Sequence, residues 1–367
     1  MPIELVGKSL EELRETAAAL GEPAYRGAQL FHALYSKRQL DFSRMTALPA
    51  KLRRRLAAEA RLSVPPVAAK YASADGSVRY LLTLDRPESA GRAAPAAIEA
   101  VFMPSPGRQT ICISTQAGCA VNCGFCLTAT LGLIRNLTAG EIVGQVLRVL
   151  DERKESLAPR TNVVFMGQGE PLLNYDEVMA AARLLLDPHG LTLSPRHVTL
   201  STSGIVPGID RLAREPVRPK LAISLNASSD PQRSRIMPIN RKYPLAELLD
   251  ACRRYPLRSW ERLTFEYVLL GEENDRPEDA RRVARLVAGL RAKVNLIPWN
   301  PGALPFRRPA DEAVESFRRV LADRHVPVFV RDSRGRDVMG ACGQLALIDR
   351  MPPGAGLAVP QSEGLAR

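Results

Sequence analysis

Cys119-Ala-Val-Asn-Cys123-Gly-Phe-Cys126 places three thiols within eight residues, directly after the apolar run Thr110–Ser114. A Cys-x3-Cys-x2-Cys loop that leaves a strand supplies three thiolates. Three thiolates can hold three irons of a cubane cluster and leave the fourth iron open. An open iron can chelate the amino and carboxylate groups of S-adenosylmethionine and reduce its sulfonium, a chemistry that belongs to the cofactor rather than to the protein. Phe125, beside the third cysteine, is then placed to pack against the adenine of that cofactor. Structural zinc is the competing reading, but it needs four nitrogen or sulfur ligands. No fourth Cys or His follows the triplet, and His32, His189, His197 and His325 are scattered.

Outward from this loop, apolar strand-like runs alternate with helical patterns. The runs are Thr110–Ser114, Asn162–Met166, His197–Ser201, Leu221–Leu225, Thr264–Leu270, Val294–Pro298 and Val326–Arg331. Between them, Thr138-x-x-Glu141 reads as a capping box, and Asn174-x-x-Glu177 reads as the cap of the next helix. Asp275 and Pro277 predict a further helix that runs to about Leu290. Such alternation implies parallel strands joined by right-handed crossovers, an α/β fold built as a closed or partial βα barrel.

On a barrel of this kind the strand ends share one mouth. Gly167-Gln-Gly169-Glu170-Pro171 follows a strand, so a glycine turn brings backbone close to a ligand and Glu170 can accept from its ammonium group. Ser201, Ser224, Leu225, Asn226 and Asn300 end or follow later strands, although singly such residues are more often turns or caps.

The chain before residue 105 reads differently. Ser9 and Glu12 form a capping-box pattern, and helical spacing recurs through Leu13, Ala17 and Leu20, in Ala28–Tyr35 and around Leu52–Ala60. Ser63-Val-Pro-Pro is a break. Short alternating runs follow at Tyr80–Leu84 and Ile98–Met103, with an Ala/Pro-rich loop at Pro87–Ala97 between them. The predicted organisation is a helical accessory domain over 1–64, a small β element or linker over 65–104, the barrel over 105–349 and a flexible tail over 350–367.

Composition narrows the function classes. Lys and Arg number 51 against 39 Asp and Glu, a net charge of +12 that favours a polyanionic partner. An arginine-rich genome accounts for the same balance, so charge alone favours nucleic acid only slightly. No apolar run approaches the roughly 20 residues of a membrane span. Met1–Gly21 carries four acidic residues and lacks a basic stretch followed by an apolar one. The reading is a cytoplasmic protein without a membrane partner. Six cysteines in a reducing compartment, three of them clustered, point to metal or catalytic chemistry rather than disulfides.

With these residues in hand, the chain resembles the RlmN/Cfr family of radical-SAM RNA methyltransferases, on the RlmN side. The resemblance runs from about Gly21 to Leu345. It rests on Gln116-Ala-Gly-Cys-Ala-Val-Asn-Cys123, Gly167-x-Gly-Glu-Pro-Leu-Leu-Asn174, Val198-Thr-Leu-Ser-Thr-Ser-Gly204, Val294-Asn-Leu-Ile-Pro-Trp-Asn-Pro301 and Ala341-Cys-Gly-Gln-Leu345. Gly21-Glu-Pro-Ala-Tyr-Arg-Gly-Ala-Gln-Leu30 is similar to the family's RNA-binding accessory domain.

The resemblance implies a partial barrel of radical-SAM type, a 4Fe-4S cluster on Cys119, Cys123 and Cys126, and two S-adenosylmethionine molecules per turnover. It implies cofactor contacts at Gly169, Glu170, Ser201, Ser224–Asn226 and Asn300. By the family's chemistry Cys342 carries the methyl group, Glu99 accepts the ring proton, and Cys112 resolves the protein–RNA adduct by a disulfide with Cys342. Without the resemblance, Glu99 reads as a solvent-facing strand residue, and Cys112 and Cys252 as small core residues. The implied partners are 23S ribosomal RNA or tRNA and an electron donor of flavodoxin or ferredoxin type, with the enzyme a monomer.

Asn226 stands where the family usually has His, and Gln168 where RlmN proteins typically have Met. Carbon-8 methylation, a divergent paralogue, or an RNA-binding iron–sulfur protein without turnover are the alternatives. Lys51–Arg54, Arg233/Arg235, Arg241/Lys242 and Arg331–Arg336 are candidate phosphate contacts, each equally readable as a solvated face.

Overall fold

The computed structural model describes residues 2–84 and 96–347. The tail read at 350–367 lies outside them. So does the loop read at Pro87–Ala97, except for its last two residues, and Ala97 already opens a strand.

Two short parallel strands, β1 (Ile3–Glu4) and β2 (Ala60–Arg61), bracket helices α1 (Leu10–Ala19), α2 (Tyr25–Phe31) and α3 (Ala50–Glu59). The capping box of α1 is formed: Ser9 Oγ accepts from Glu12 N at 3.3 Å, and the Glu12 carboxylate accepts from Ser9 N at 2.7 Å.

One ten-stranded sheet runs through the rest of the chain. β3 (Val67–Ala72), β4 (Val78–Thr83), β5 (Ala97–Ser105) and β6 (Arg108–Ile113) are antiparallel neighbours. A small antiparallel ribbon, β7 (Gln116–Gly118) with β8 (Leu133–Asn136), frames the cysteine loop. From β6 onward every pairing in the sheet is parallel. Crossover helices alternate with strands as α4 (Ala139–Glu152), β9 (Arg160–Phe165), α5 (Tyr175–Leu186), β10 (Val198–Thr202), α6 (Val206–Ala213) and β11 (Lys220–Ser224). The series continues through α7 (Asp230–Ile236), α8 (Leu245–Arg254), β12 (Leu263–Leu269), α9 (Pro277–Leu286), β13 (Ala292–Pro298), α10 (Asp311–Ala322) and β14 (Val328–Val330).

The strands predicted from the sequence are thus all present, and β14 and β3 are the two edges of an open, partial barrel. β13, next to the edge strand β14, is buried at six of its seven positions, as a strand covered on both faces must be, whereas edge strand β3 alternates half-buried with exposed. β3–β5 are not a separate element: they continue the barrel sheet through the β5–β6 pairing.

Two helix readings need correction. Asn174 holds the N-cap position of α5 but its side chain does not cap the helix; its Nδ2 donates to the carbonyls of Thr115 and Leu137, both at 2.8 Å. Glu177 accepts from Ala139 N at the start of α4, at 2.6 Å. Buried carbonyls flanking the cysteine loop need donors, and that demand outweighs the local cap. Helix α9 ends at Leu286 rather than near Leu290, and its first turn is held by Asp279 accepting from Arg276 N at 3.3 Å.

The amino-terminal helices share the main core: Leu13, Leu34 and Tyr35 belong to one apolar cluster with Ile142, Val143 and Val146 of α4. The contact depends on bare backbone. A Cβ added at Gly140 would lie 2.5 Å from Val6 O, and one at Gly7 2.5 Å from Gly140 N. Overpacking of this kind costs about 1–3 kcal/mol. Gly140→Ala should therefore lower the stability by about that amount in chemical denaturation. An unchanged midpoint and slope would contradict the close approach.

Candidate functional site

The cysteine loop leaves β7 and is anchored at several points. Cys119 N donates to Gly132 O at 2.8 Å, Gly124 N to Ile236 O at 2.9 Å, and Leu127 N to Gly343 O at 2.8 Å. All three thiols are half-buried. Burial is the first cause that pushes Cys119 up to about 12 and Cys123 well above the ordinary thiol value; in both, Cys126 and Glu170 add to the rise. Cys119 and Cys123, each pushed up by burial and by a neighbouring thiol, are a poor arrangement by themselves and a good one around a cationic centre. Among the described residues no three His, Cys, Asp or Glu side chains gather to hold a single metal ion. A cubane attaches each thiolate to a different iron, so its ligands need not converge on one point, and this donor set fits it.

The turn after β9 lies against the same loop. Gly169 has φ +99°, and a Cβ there would meet Gln116 at 2.6 Å, so only glycine brings the turn this close. Glu170 N donates to Gln116 Oε1 at 2.9 Å. The Glu170 carboxylate is buried, which raises its pKa, and it accepts from Ser203 N at 2.7 Å and Leu172 N at 3.0 Å. A carboxylate offers about four lone-pair sites, so capacity for an incoming ammonium remains.

Ser201 lies within β10, Ser224 is the last residue of β11, and Leu225 and Asn226 follow it. Their side chains do not all face one opening. Leu225 is fully buried in the main core, and its N donates to Glu266 O at 2.9 Å while its O accepts from Ala227 N at 2.8 Å. Asn226, at φ +54°, turns inward: Oδ1 accepts from Val268 N at 2.8 Å and Nδ2 donates to Met237 Sδ at 3.3 Å. Asn300 lies just past β13; its Nδ2 donates to Cys342 O at 3.3 Å while its buried Oδ1 meets no partner. Phe125 sits in a small apolar cluster with Ile236, Met237 and Trp299, and its carbonyl accepts from Trp299 Nε1 at 3.1 Å.

Arg233, read as a phosphate contact, has no exposed surface. Its guanidinium donates to Leu225 O (3.0 Å), Ser224 O (3.0 Å), Ser203 O (2.6 Å) and Asn240 Oδ1 (3.1 Å). Burial lowers its pKa to about 10. The strand ends leave carbonyls pointing into protein, and a forked donor satisfies several at once. Arg235, two residues on and so on another face of α7, is exposed and lies 3.6 Å from Glu273.

Glu99, Cys112 and Cys342 come together where β5 and β6 meet the carboxyl-terminal segment. Cys112 is paired with Val101, two residues from Glu99, so the pleat places Glu99 and Cys112 on one sheet face. Leu345 packs on Val101 and Cys112, and Leu347 on Leu81 and Ala97. Cys342 itself is exposed, yet surrounding protein pushes its thiol up to about 11, with smaller contributions from Glu266 and Cys126. Burial also pushes Cys112 up, and Cys342 adds to that rise.

Glu99 is not solvent-facing: it is wholly buried, ion-paired with Arg79, and its Oε2 accepts from Gln168 Nε2 at 3.2 Å and Leu347 N at 3.1 Å. Arg79 escaped the sequence reading because it alternates like an outward residue of β4. Once the β4–β5 register is known, its diagonal relation to Glu99 reveals it, since Arg79 opposes Val101. Cys252 is a core residue, as read from the sequence.

Comparison with known proteins shows the family to which the chain belongs. Residues 113–285 match the Radical SAM superfamily, and residues 3–62 match the Ribosomal RNA large subunit methyltransferase N-terminal domain. The dual-specificity RNA methyltransferase RlmN of Anaeromyxobacter dehalogenans is 50% identical, over 92% of this chain and 90% of that protein. The protein of the same name from Geobacter sulfurreducens is 45% identical, over 98% and 97%. A crystal structure of a radical SAM methyltransferase from Sphaerobacter thermophilus superposes with a TM-score of 0.86 at 44% identity, covering 94% of this chain and 99% of that one.

Replacing Arg233 by Met takes a donor from Leu225 O, Ser224 O and Ser203 O, of which Leu225 O keeps the Ala227 amide at 2.8 Å. At about 1–3 kcal/mol for each buried carbonyl left unpaired, this should cost at least about 1 kcal/mol in denaturant unfolding. A variant of full stability with weakened RNA binding would restore the phosphate-contact reading.

Proposed function

The chain belongs to the RlmN family of RNA methyltransferases, and on that footing we propose that it methylates carbon 2 of adenine in 23S ribosomal RNA and in tRNA. Carbon 2 lies between two ring nitrogens and is electron-poor, so it does not attack a sulfonium methyl as a nucleophile would. The family's 4Fe-4S cluster and S-adenosylmethionine supply, when bound, a one-electron route around that barrier, with two S-adenosylmethionine molecules used per turnover.

In this reading Cys119, Cys123 and Cys126 hold the cluster. Gly169, Glu170, Ser201, the backbone of Ser224–Asn226, Asn300 and Phe125 surround S-adenosylmethionine. Cys342 carries the methyl group. Glu99 accepts the proton displaced from the ring, and Cys112 releases the product by forming a disulfide with Cys342.

The observation that supports the reading best is the docking of the Cys342 segment between two parts of the chain. Gly343 O accepts from Leu127 N of the cysteine loop, while Leu347 N reaches Glu99. One short segment thus spans the cluster ligands at one end and the base at the other. A reductant of flavodoxin or ferredoxin type, a monomeric state and a cytoplasmic setting complete the proposal. No helix among the described residues is long and apolar enough to cross a membrane.

The test is mass spectrometry of nucleosides after anaerobically reconstituted protein, reductant and S-adenosylmethionine act separately on protein-free 23S fragments and on tRNA. 2-Methyladenosine is expected from both RNAs; 8-methyladenosine would overturn the regiochemistry. No methyladenosine from a protein with an intact cluster and S-adenosylmethionine cleavage would overturn the substrate. Cys342→Ala should abolish transfer to RNA, and retained transfer would remove Cys342 as carrier.

A further inference from the structure

Gln168, in the turn after β9, is only 1% exposed, and its side chain has two unequal ends. Nε2 donates to Glu99 Oε2 at 3.2 Å, while Oε1 is buried without a hydrogen-bond partner. An ionised carboxylate only accepts, so this contact fixes the amide: nitrogen faces Glu99 and oxygen points away. A buried amide oxygen left unpaired costs free energy. That cost accompanies the placing of a donor on Glu99.

The backbone reinforces the same link. Ser114 Oγ accepts from Gln168 N at 2.9 Å and donates to Glu99 O at 2.7 Å. Ser114 has no exposure, and Gln145 holds its backbone on both sides, N to Oε1 and Nε2 to O, each at 2.9 Å. Gln168 O in turn accepts from Thr115 N at 2.8 Å. Main chain and side chain of Glu99 are therefore both tied to one residue of the glycine turn.

We propose that Gln168, bridged by Ser114, is a positioning residue that keeps Glu99 ionised and aimed for removal of the ring proton. The proposal rests on the reading of Glu99 as that base. In the step it serves, the proton passes from the ring carbon to a Glu99 oxygen. The C–H electron pair stays with the ring, and the resulting neutral acid returns its proton to solvent.

Other groups face Glu99. Arg79 of β4 pairs with Oε1, with the ring of Tyr71 from β3 stacked 4.2 Å from its guanidinium. Cys112 of β6 shares the sheet face, and the carboxyl-terminal segment contributes Leu347 N and, farther along, Cys342. Removing the Gln168 donor weakens the carboxylate against the acid. The acid limb of the rate profile should then move to higher pH.

Holoenzyme carrying Gln168→Met should release methylated RNA about tenfold more slowly in single turnover, as expected for loss of one hydrogen bond to a charged group. The acid limb should shift upward and covalent protein–RNA adduct should accumulate. Iron content and methylation of Cys342 should stay at wild-type levels. Ser114→Ala, which breaks the bridge but keeps the amide, should shift the limb in the same direction.

Glu99→Gln serves as the reference. If it turns over normally, the base assignment itself is wrong. If Glu99→Gln stalls while Gln168→Met and Ser114→Ala match wild type in rate and pH profile, the positioning role is overturned. Loss of iron or of Cys342 methylation in step with the rate would make Gln168 merely structural, which also overturns it.

Discussion

A carboxylate removed from water must be given donors, and Glu99, wholly buried in β5, draws its donors from three distant parts of the chain. Arg79 comes from β4, Gln168 from the turn after β9, and the Leu347 amide from the carboxyl-terminal segment. Each donor fixes something larger than itself. The ion pair ties β4 to β5 within the antiparallel part of the sheet. The amide ties them to the glycine turn that carries Glu170. The Leu347 contact seats the segment that carries Cys342. The carboxyl-terminal segment is held at its other points too: Thr128 Oγ1 donates to Leu345 O at 2.7 Å, and Gln344 Nε2 to Pro301 O at 3.0 Å. A thiol that has to meet more than one partner is thus carried on a segment anchored on both sides of it.

A second buried charge organises the opposite side of the mouth. Arg233 gathers the carbonyls that end β11 and follow β10, and Ser203, whose carbonyl it holds, donates its amide to Glu170. Glu170 and Arg233 are therefore linked by two hydrogen bonds through a single residue, and both charges act on the Cys123 thiol. The cysteine loop and the strand ends proposed to surround S-adenosylmethionine are set by the same few contacts. Preorganisation of this sort is what a site for a reactive intermediate needs, since misplacement by a fraction of an ångström exposes the radical to side reactions.

Much of this was legible in the sequence because it is local. The capping boxes at Ser9 and Thr138 are read from a four-residue pattern and are present as read. The parallel strands announce themselves as buried apolar runs, and the cysteine loop follows one of them. What was not legible depends on register or on distant backbone. Asn174 and Glu177 look like a helix cap, but the carbonyls of Thr115 and Leu137 and the amide of Ala139 claim them. Arg233 sits in a basic stretch that reads as surface, and only the convergence of strand ends shows it to be interior. Asn226 reads as a ligand and turns inward because a residue with positive φ at the strand end faces the unpaired amide of Val268. Glu99 has no local signature at all; its role is suggested by resemblance, and its setting by the sheet.

In the proposed reaction Cys112 and Cys342 act as a pair across the face shared with Glu99. The most direct measurement of that pairing is a single turnover on RNA, quenched in acid, followed by peptide mapping without reduction. The account predicts a Cys112–Cys342 linked peptide in amounts equal to the methylated RNA. Full methylation with both thiols free would contradict it.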